Sequence, residues 1–329
     1  MTGPSPVVTE NAATPAGVPP RRSARGKAVR LAFLAVALGF GAWAVSTQWA
    51  EVSDGFSRLS WPYVVGALAA VLAALAAGML MWRSLLADLG SPLPFLAAAK
   101  VFFVGQLGKY IPGSLWPVLA QMEMGRDLGV PRPRSAAAFF LTYPIYMATG
   151  LTVAAVTLPA FAGDSAAPYA WLLVLLPVVA AGLHPRVVNA VLGFGLRRLK
   201  RPPLEHPLTR AGVLASVGWA FAGWLFYGTH LALIVAGLGA TGPRAAILSF
   251  GAIALAWCLQ FVVVVVPAGA GVREVAMIAV LAPVLDPGSA IAAALCSRLV
   301  VTAGDLVCAG LAGLAARRAP GVRVRTRGA

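Results

Sequence analysis

Two short stretches constrain this fold more than any other feature: Gly105-Gln106-Leu107-Gly108-Lys109-Tyr110-Ile111-Pro112-Gly113-Ser114 and Pro267-Ala268-Gly269-Ala270-Gly271-Val272-Arg273-Glu274. Each sets helix breakers and a fixed charge inside sequence that is otherwise apolar enough to enter a bilayer. Breaking a helix in hydrocarbon frees backbone N–H and C=O groups that lipid cannot satisfy, so such breaks survive only where protein or a water-filled cavity receives them. Paired Gly/Pro interruptions, one in each half of a chain, point to the binding site of a transporter. The expected fold is an all-α polytopic membrane protein, with a pseudo-repeat suggested by the two breaks and a polar site between them.

Composition agrees. The chain is 59% hydrophobic and 11% charged, with a mean hydropathy of +0.82, against roughly 25% charged in a soluble domain. The net charge of +15 resembles a nucleic-acid signal until the bases are located. Five lie in the N-terminal region (Arg21, Arg22, Arg25, Lys27, Arg30), five at the C-terminus (Arg317, Arg318, Arg323, Arg325, Arg327) and six between Arg186 and Arg210. Clustering in short loops sets orientation under the positive-inside rule, and no folded basic domain remains to bind nucleic acid. Cys258, Cys296 and Cys308 fall in apolar stretches without CxxC spacing, which argues against structural zinc and a disulfide framework. No cofactor and no metal are expected.

Residues 1–29 read as a disordered basic cytoplasmic tail, 30–316 as the transmembrane domain and 317–329 as a second basic tail. A span needs about 20 apolar residues. The candidates are 30–49, 61–82, 135–161, 168–183, 211–238, 244–266, a short 270–284, and 288–315. Segment 93–125 is apolar but broken at Pro112-Gly113 and flanked by bases on both sides, which predicts a re-entrant hairpin. Residues 185–200 have the pattern of an interfacial amphipathic helix. The expectation is therefore eight crossings plus the hairpin, with both termini cytoplasmic in the inner (plasma) membrane. That arrangement puts twenty of the 26 lysines and arginines inside, leaves Arg58 and Arg244 outside, and sets Lys100, Lys109, Arg273 and Arg298 at membrane depth.

Within the first break, Gln106, Lys109 and Tyr110 share one helical face by spacing. Ser114 is a candidate N-cap for a second half-helix, whose start offers free N–H groups and partial positive charge to an anion. Gly105, Gly108, Pro112 and Gly113 make the break, and Pro267, Gly269 and Gly271 make the second. There Arg273 and Glu274 fall in the first turn of the next helix, and the rigid fork of Arg273 suits bidentate phosphate contact. Arg298, Thr302 and Asp305 share a face of the last span. Asp305 needs a cation, with Arg298, Arg273 and Lys109 as candidates, and Glu274, Arg298 and Asp305 are assigned to ion pairing or gating. Gln121, Glu123 and the Thr142–Tyr146 kink are weaker candidates for the same cavity. His230 reads as a satisfied core histidine.

The run Gly105–Pro117, with the downstream Pro267 to Glu274, resembles the lysylphosphatidylglycerol synthase transmembrane region, a flippase-like integral membrane family also called UPF0104. The resemblance spans roughly residues 30–316. It implies relation to the lipid-translocating half of two-part aminoacyl-phosphatidylglycerol enzymes. Those enzymes carry a soluble transferase domain after the membrane part; the present sequence ends at Ala329, so lysyl transfer is not expected.

The function expected is a non-enzymatic lipid flippase or transporter. An anionic headgroup, from a phospholipid or a polyprenyl-phosphate-linked lipid, would be held by Gln106, Lys109, Tyr110, Ser114 and Arg273. One alternative is a polyprenyl-phosphate glycosyltransferase using an outer carboxylate such as Glu51, Asp54 or Asp164. Another is a scaffold for a neighbouring cell-envelope enzyme. Membrane lipids are the expected partners, and nucleic acid is not.

Overall fold

The protein, in a computed structural model, is described at residues 53–54, 57, 59–110, 116–161, 172–198, 205–262 and 271–318. Several sequence expectations fall outside these residues: the span at 30–49, the N-terminal tail, Pro112, Gly113, Ser114, Pro267, Gly269, Glu51 and Asp164. Every regular element among the described residues is helical: α1 (Trp61–Asp88), α2 (Phe95–Gln106), a 3-10 turn (Leu107–Tyr110), α3 (Trp116–Arg126), α4 (Arg132–Phe161), α5 (Leu172–Gly182), α6 (Pro185–Arg198), α7 (Arg210–Gly237), α8 (Pro243–Val262), α9 (Val272–Leu281) and α10 (Pro287–Arg318).

Five of these, α1, α4, α7, α8 and α10, are long and apolar enough to cross a membrane. The expected eight crossings are therefore not supported. Within the stretch 168–183 the described residues form the 11-residue α5, which meets α6 at a 66° bend. The stretch 270–284 yields α9, whose 10 residues rise about 15 Å, half the hydrocarbon thickness. Counting the bent pair as one span gives six.

Helices in lipid gain little from the hydrophobic effect and associate through close packing of small residues. The buried faces are accordingly rich in alanine: Ala67, Ala70, Ala74 and Ala77 on α1, Ala252, Ala254 and Ala256 on α8, and Ala290, Ala292, Ala293 and Ala294 on α10. Large apolar side chains such as Leu225, Leu299, Leu306 and Leu311 are exposed on the outside, where lipid tails are their solvent.

α1 and α7 pack antiparallel. Asp88, at the end of α1, accepts hydrogen bonds from the backbone N–H (2.7 Å) and hydroxyl (2.8 Å) of Thr209, and Thr209 Oγ1 caps α7 by accepting from Gly212 N. At the other end, Gly237 lies against the ring of Tyr63. Arg134 joins the Asp88 end by donating to the Gly90 carbonyl and the Ser91 hydroxyl and by pairing with Glu205. The loops after α1, before α4 and before α7 thus gather on one face, which includes the bases Arg132, Arg134 and Arg210. The amphipathic expectation for 185–200 is met by α6, whose Val188 and Leu192 pack against the core beside α4.

Candidate functional site

The first break folds as a hairpin. α2 continues through Gly105 to Gln106 and tightens to a 3-10 turn over Leu107–Tyr110, so Gly105 lies inside a helix rather than breaking one. α3 returns alongside. A Cβ at Gly105 would sit 2.6 Å from Gln121 Cγ, and one at Gly108 would sit 2.8 Å from Pro117 N. Both glycines are therefore close-approach residues that let the two half-helices touch. The second break ends at Gly271, which N-caps α9 with φ of 91°, a backbone region that L side chains rarely adopt. Arg273 and Glu274 occupy the first turn of α9, as the spacing predicts.

Between these segments and α10 lies a cavity of about 220 Å³. Gln106, Lys109, Tyr110, Arg273, Arg298 and Asp305 all line it, together with Thr142, Tyr143 and Tyr146 of α4, Tyr227 of α7, Trp257 and Gln260 of α8, and Thr302 of α10. Residues almost 200 positions apart thus meet as expected. Two weaker candidates do not join them. Glu123 is exposed and pairs with Arg126 and Arg132, because α3 turns that side to solvent. Gln121 is wholly buried inside the hairpin, with neither amide atom hydrogen-bonded.

The charges sort into two pairs and one remainder. Lys109 Nζ lies 2.6 Å from Asp305 Oδ2, which also accepts from the Tyr110 hydroxyl at 2.7 Å. Glu274 Oε1 accepts from Arg298 Nη1 at 2.6 Å, while its Oε2 accepts from Gly271 N at 2.8 Å. Glu274 therefore caps its own helix and binds α10 at once. Of the three cations open to Asp305 from sequence, Lys109 takes it. α10 supplies one charge to each broken segment: Asp305 to the first and Arg298 to the second.

Arg273 is the remainder. It is 8% exposed, and among the described residues no carboxylate lies within ion-pairing distance of it. Its Nη2 donates to Ser297 Oγ at 2.9 Å, and its guanidinium stands 5.6 Å over the Trp257 ring, within cation–π range. Behind it runs a buried relay. The Tyr227 carbonyl can only accept, so His230 Nδ1 donates to it and Nε2 accepts from Ser297 Oγ at 2.9 Å. Ser297 in turn accepts from Arg273. These partners fix the His230 tautomer and confirm it as a satisfied core histidine. The indole N–H of Trp257 is buried without an acceptor. Nothing in the sequence pattern singled out Ser297, Trp257 or Gln260; each is ordinary within an apolar helix and gains meaning only across the helix packing.

Helices of membrane-spanning length, broken segments folded back on each other and a charged cavity between them define a multi-pass α-helical membrane protein with an internal polar site. The family model described as the lysylphosphatidylglycerol synthase TM region matches residues 29–308, and the chain belongs to that family. No curated protein matches it. The family places the protein among membrane proteins linked to the handling of anionic lipid.

Proposed function

We propose that the chain is a lipid flippase or transporter that receives an anionic headgroup in the cavity between its two broken segments and carries it across the membrane. The observation that supports this most is Arg273: a buried cation on the cavity wall with no carboxylate at ion-pairing distance among the described residues. A buried charge is costly unless paired, and ionisable groups at membrane depth are functional by default. A phosphate diester supplies the missing charge and two acceptor oxygens for the guanidinium fork. Lys109, across the cavity, reaches the same ligand once its hold on Asp305 is released, and Tyr110 lines the site beside it. Ser114, outside the described residues, is assigned to the proposed site from its sequence position alone. The lipid tails stay in the bilayer. The reading needs no chemical step in the lipid, and it places the protein in the inner membrane with the basic face and both termini cytoplasmic.

The test is headgroup movement in proteoliposomes, using fluorescent phosphatidylglycerol and phosphatidylcholine, for wild type and for Arg273→Gln and Arg273→Lys. Wild type is expected to move the anionic lipid, the glutamine variant to fall at least tenfold, and the lysine variant to lie between. Movement at the rate of empty liposomes, or equal rates for wild type and a folded Arg273→Gln, overturns the reading.

A further inference from the structure

We propose that the cavity takes up one proton together with its anion, and that Asp305 is the proton acceptor. The inference rests on the anionic-headgroup reading and adds a co-substrate to it. Its starting point is that Lys109, which the sequence offers as a phosphate ligand, is already occupied: Nζ lies 2.6 Å from Asp305 Oδ2. An anion arriving at Lys109 competes with that carboxylate for a single positive charge, and Asp305 is 5% exposed, so a carboxylate that loses its cation sits in a poorly solvated wall.

Among the described residues, no other cation is placed to replace Lys109. The turn Leu107–Tyr110 presents Lys109 and Tyr110 to Asp305, and α10 itself presents Arg298, Thr302 and Cys308 around it. From α9 comes Arg273, engaged with Ser297 and Trp257; from α7 comes Tyr227, a neutral phenol. Arg298 is held by Glu274 at 2.6 Å. α1 lines the cavity with Leu75, Gly78 and Met81, none ionisable, and α2 with Gln106, its one charged residue, Lys100, being exposed. The sequence over 111–115 and 263–270 contains no ionisable side chain. Among the described residues, a displaced Asp305 carboxylate would thus keep the Tyr110 hydroxyl but no cation, a buried charge that proteins avoid by neutralising the group.

The exchange balances without any other reactant. The Lys109 ammonium leaves the carboxylate and pairs with a phosphate oxygen. One proton from water forms an O–H bond on Asp305, and no bond in the ligand breaks. One negative and one positive charge enter together, so the net charge of the cavity is unchanged. Tyr110 does not oppose the step, because its hydroxyl hydrogen-bonds to a carboxylic acid as readily as to a carboxylate. Glu274 is the rival acceptor, but it keeps Arg298 and the Gly271 N–H and does not line the cavity.

The experiment uses the full chain in phosphatidylcholine nanodiscs, titrated calorimetrically with short-chain phosphatidylglycerol or with inorganic phosphate. Measurements between pH 6 and 8, in two buffers of different ionisation heat, give protons taken up per ligand bound. Wild type is expected to take up close to one proton per phosphatidylglycerol and to bind about tenfold more weakly for each pH unit of increase. Asp305→Asn is expected to take up none and to bind independently of pH. The double change Lys109→Gln with Asp305→Asn keeps the net charge of the cavity and gives the same readout if the single variant does not fold. Inorganic phosphate giving a proton uptake that Asp305→Asn abolishes would assign the site to free phosphate rather than a lipid headgroup, with the proton coupling intact. PH-independent binding by wild type without proton uptake, or uptake that persists in Asp305→Asn, overturns the coupling while the headgroup reading stands. If wild type binds neither probe, that reading falls and this one with it.

Discussion

Ser297 holds the binding geometry together at the smallest scale. It accepts from Arg273 and donates to His230, so replacing it with alanine strands a buried guanidinium N–H and a buried imidazole nitrogen at once. An unsatisfied buried polar group costs about 1–3 kcal/mol. Ser297→Ala is therefore expected to lower the unfolding temperature in detergent and to weaken anionic-lipid binding together, whereas Ser297→Thr, which keeps the hydroxyl, should restore part of both. Unchanged stability in the alanine variant would show that the relay contributes nothing. Why the residue was not legible in advance follows from the same geometry. Spacing along one helix says which residues share a face, and it correctly grouped Arg298, Thr302 and Asp305. It cannot say which of three cations an acid meets on another helix, and the pairing of Asp305 with Lys109 appears only in the packing. Charged residues announced themselves against the apolar background and His230 read as a core histidine; the serine that links it to Arg273 did not stand out.

At the scale of single elements, the hairpin and the helix starts are governed by steric and capping rules that can be tested one at a time. Gly108→Ala would drive a methyl group to 2.8 Å from the Pro117 backbone nitrogen, where the neighbour is main chain and cannot rotate away. The half-helices must then separate, and a cost of about 1–3 kcal/mol is expected, measured as lowered thermal stability with loss of lipid movement. Gly271→Ala forces a side chain into a positive-φ backbone, at about 1–2 kcal/mol, and moves Arg273 and Glu274 with it. α10 starts on Asp286, whose Oδ1 accepts from Ser289 N at 2.9 Å. The hydroxyl and backbone N–H of Ser289 hold this carboxyl below the usual carboxylate range. Because the folded group is the stronger acid, its contribution is complete above the unfolded value and is lost as pH falls through the folded one. Asp286→Ala is expected to cost about 1 kcal/mol at pH 7 and less under acid conditions, which a pair of melting curves would show. The positions of the breaks were legible in part, with Gly108 in a 3-10 turn and Gly271 capping α9, although α4 runs through Pro144 and Pro159 and Pro112, Gly113, Pro267 and Gly269 lie outside the described residues. The extent of the breaks was not: α2 runs through Gly105 because glycine in lipid serves close packing as well as interruption. The short α9 was counted as a span because hydropathy alone cannot tell a half-helix sheltered by protein from a full crossing.

On the whole-molecule scale, the packing sorts helix ends onto two faces and the charge distribution predicts which of them is cytoplasmic. The antiparallel pairing of α1 with α7 sets Asp88 beside Thr209 and Tyr63 beside Gly237, so the two ends of this pair lie on opposite faces. Arg134 ties the loops at Gly90, Ser91 and Glu205 to the first face, and that is the face to which the sequence assigns Arg126, Arg132, Arg134, Arg186 and Arg210. The turn from α7 into α8, with positive-φ glycines at 239 and 242, belongs to the other. Bases retained on the cytoplasmic side fix topology, so the Asp88–Thr209 face is expected to be cytoplasmic. A single cysteine at either end decides this, in a background with Cys258, Cys296 and Cys308 replaced by alanine. His206→Cys should resist a membrane-impermeant maleimide in intact cells and react in inverted vesicles, while Thr241→Cys should do the reverse. Both residues lie in connections rather than helices, so the substitutions disturb little. Labelling of both from the same side would contradict the antiparallel pairing, and labelling from opposite sides in the inverse sense would leave the fold intact but place the basic face outside, against the charge rule.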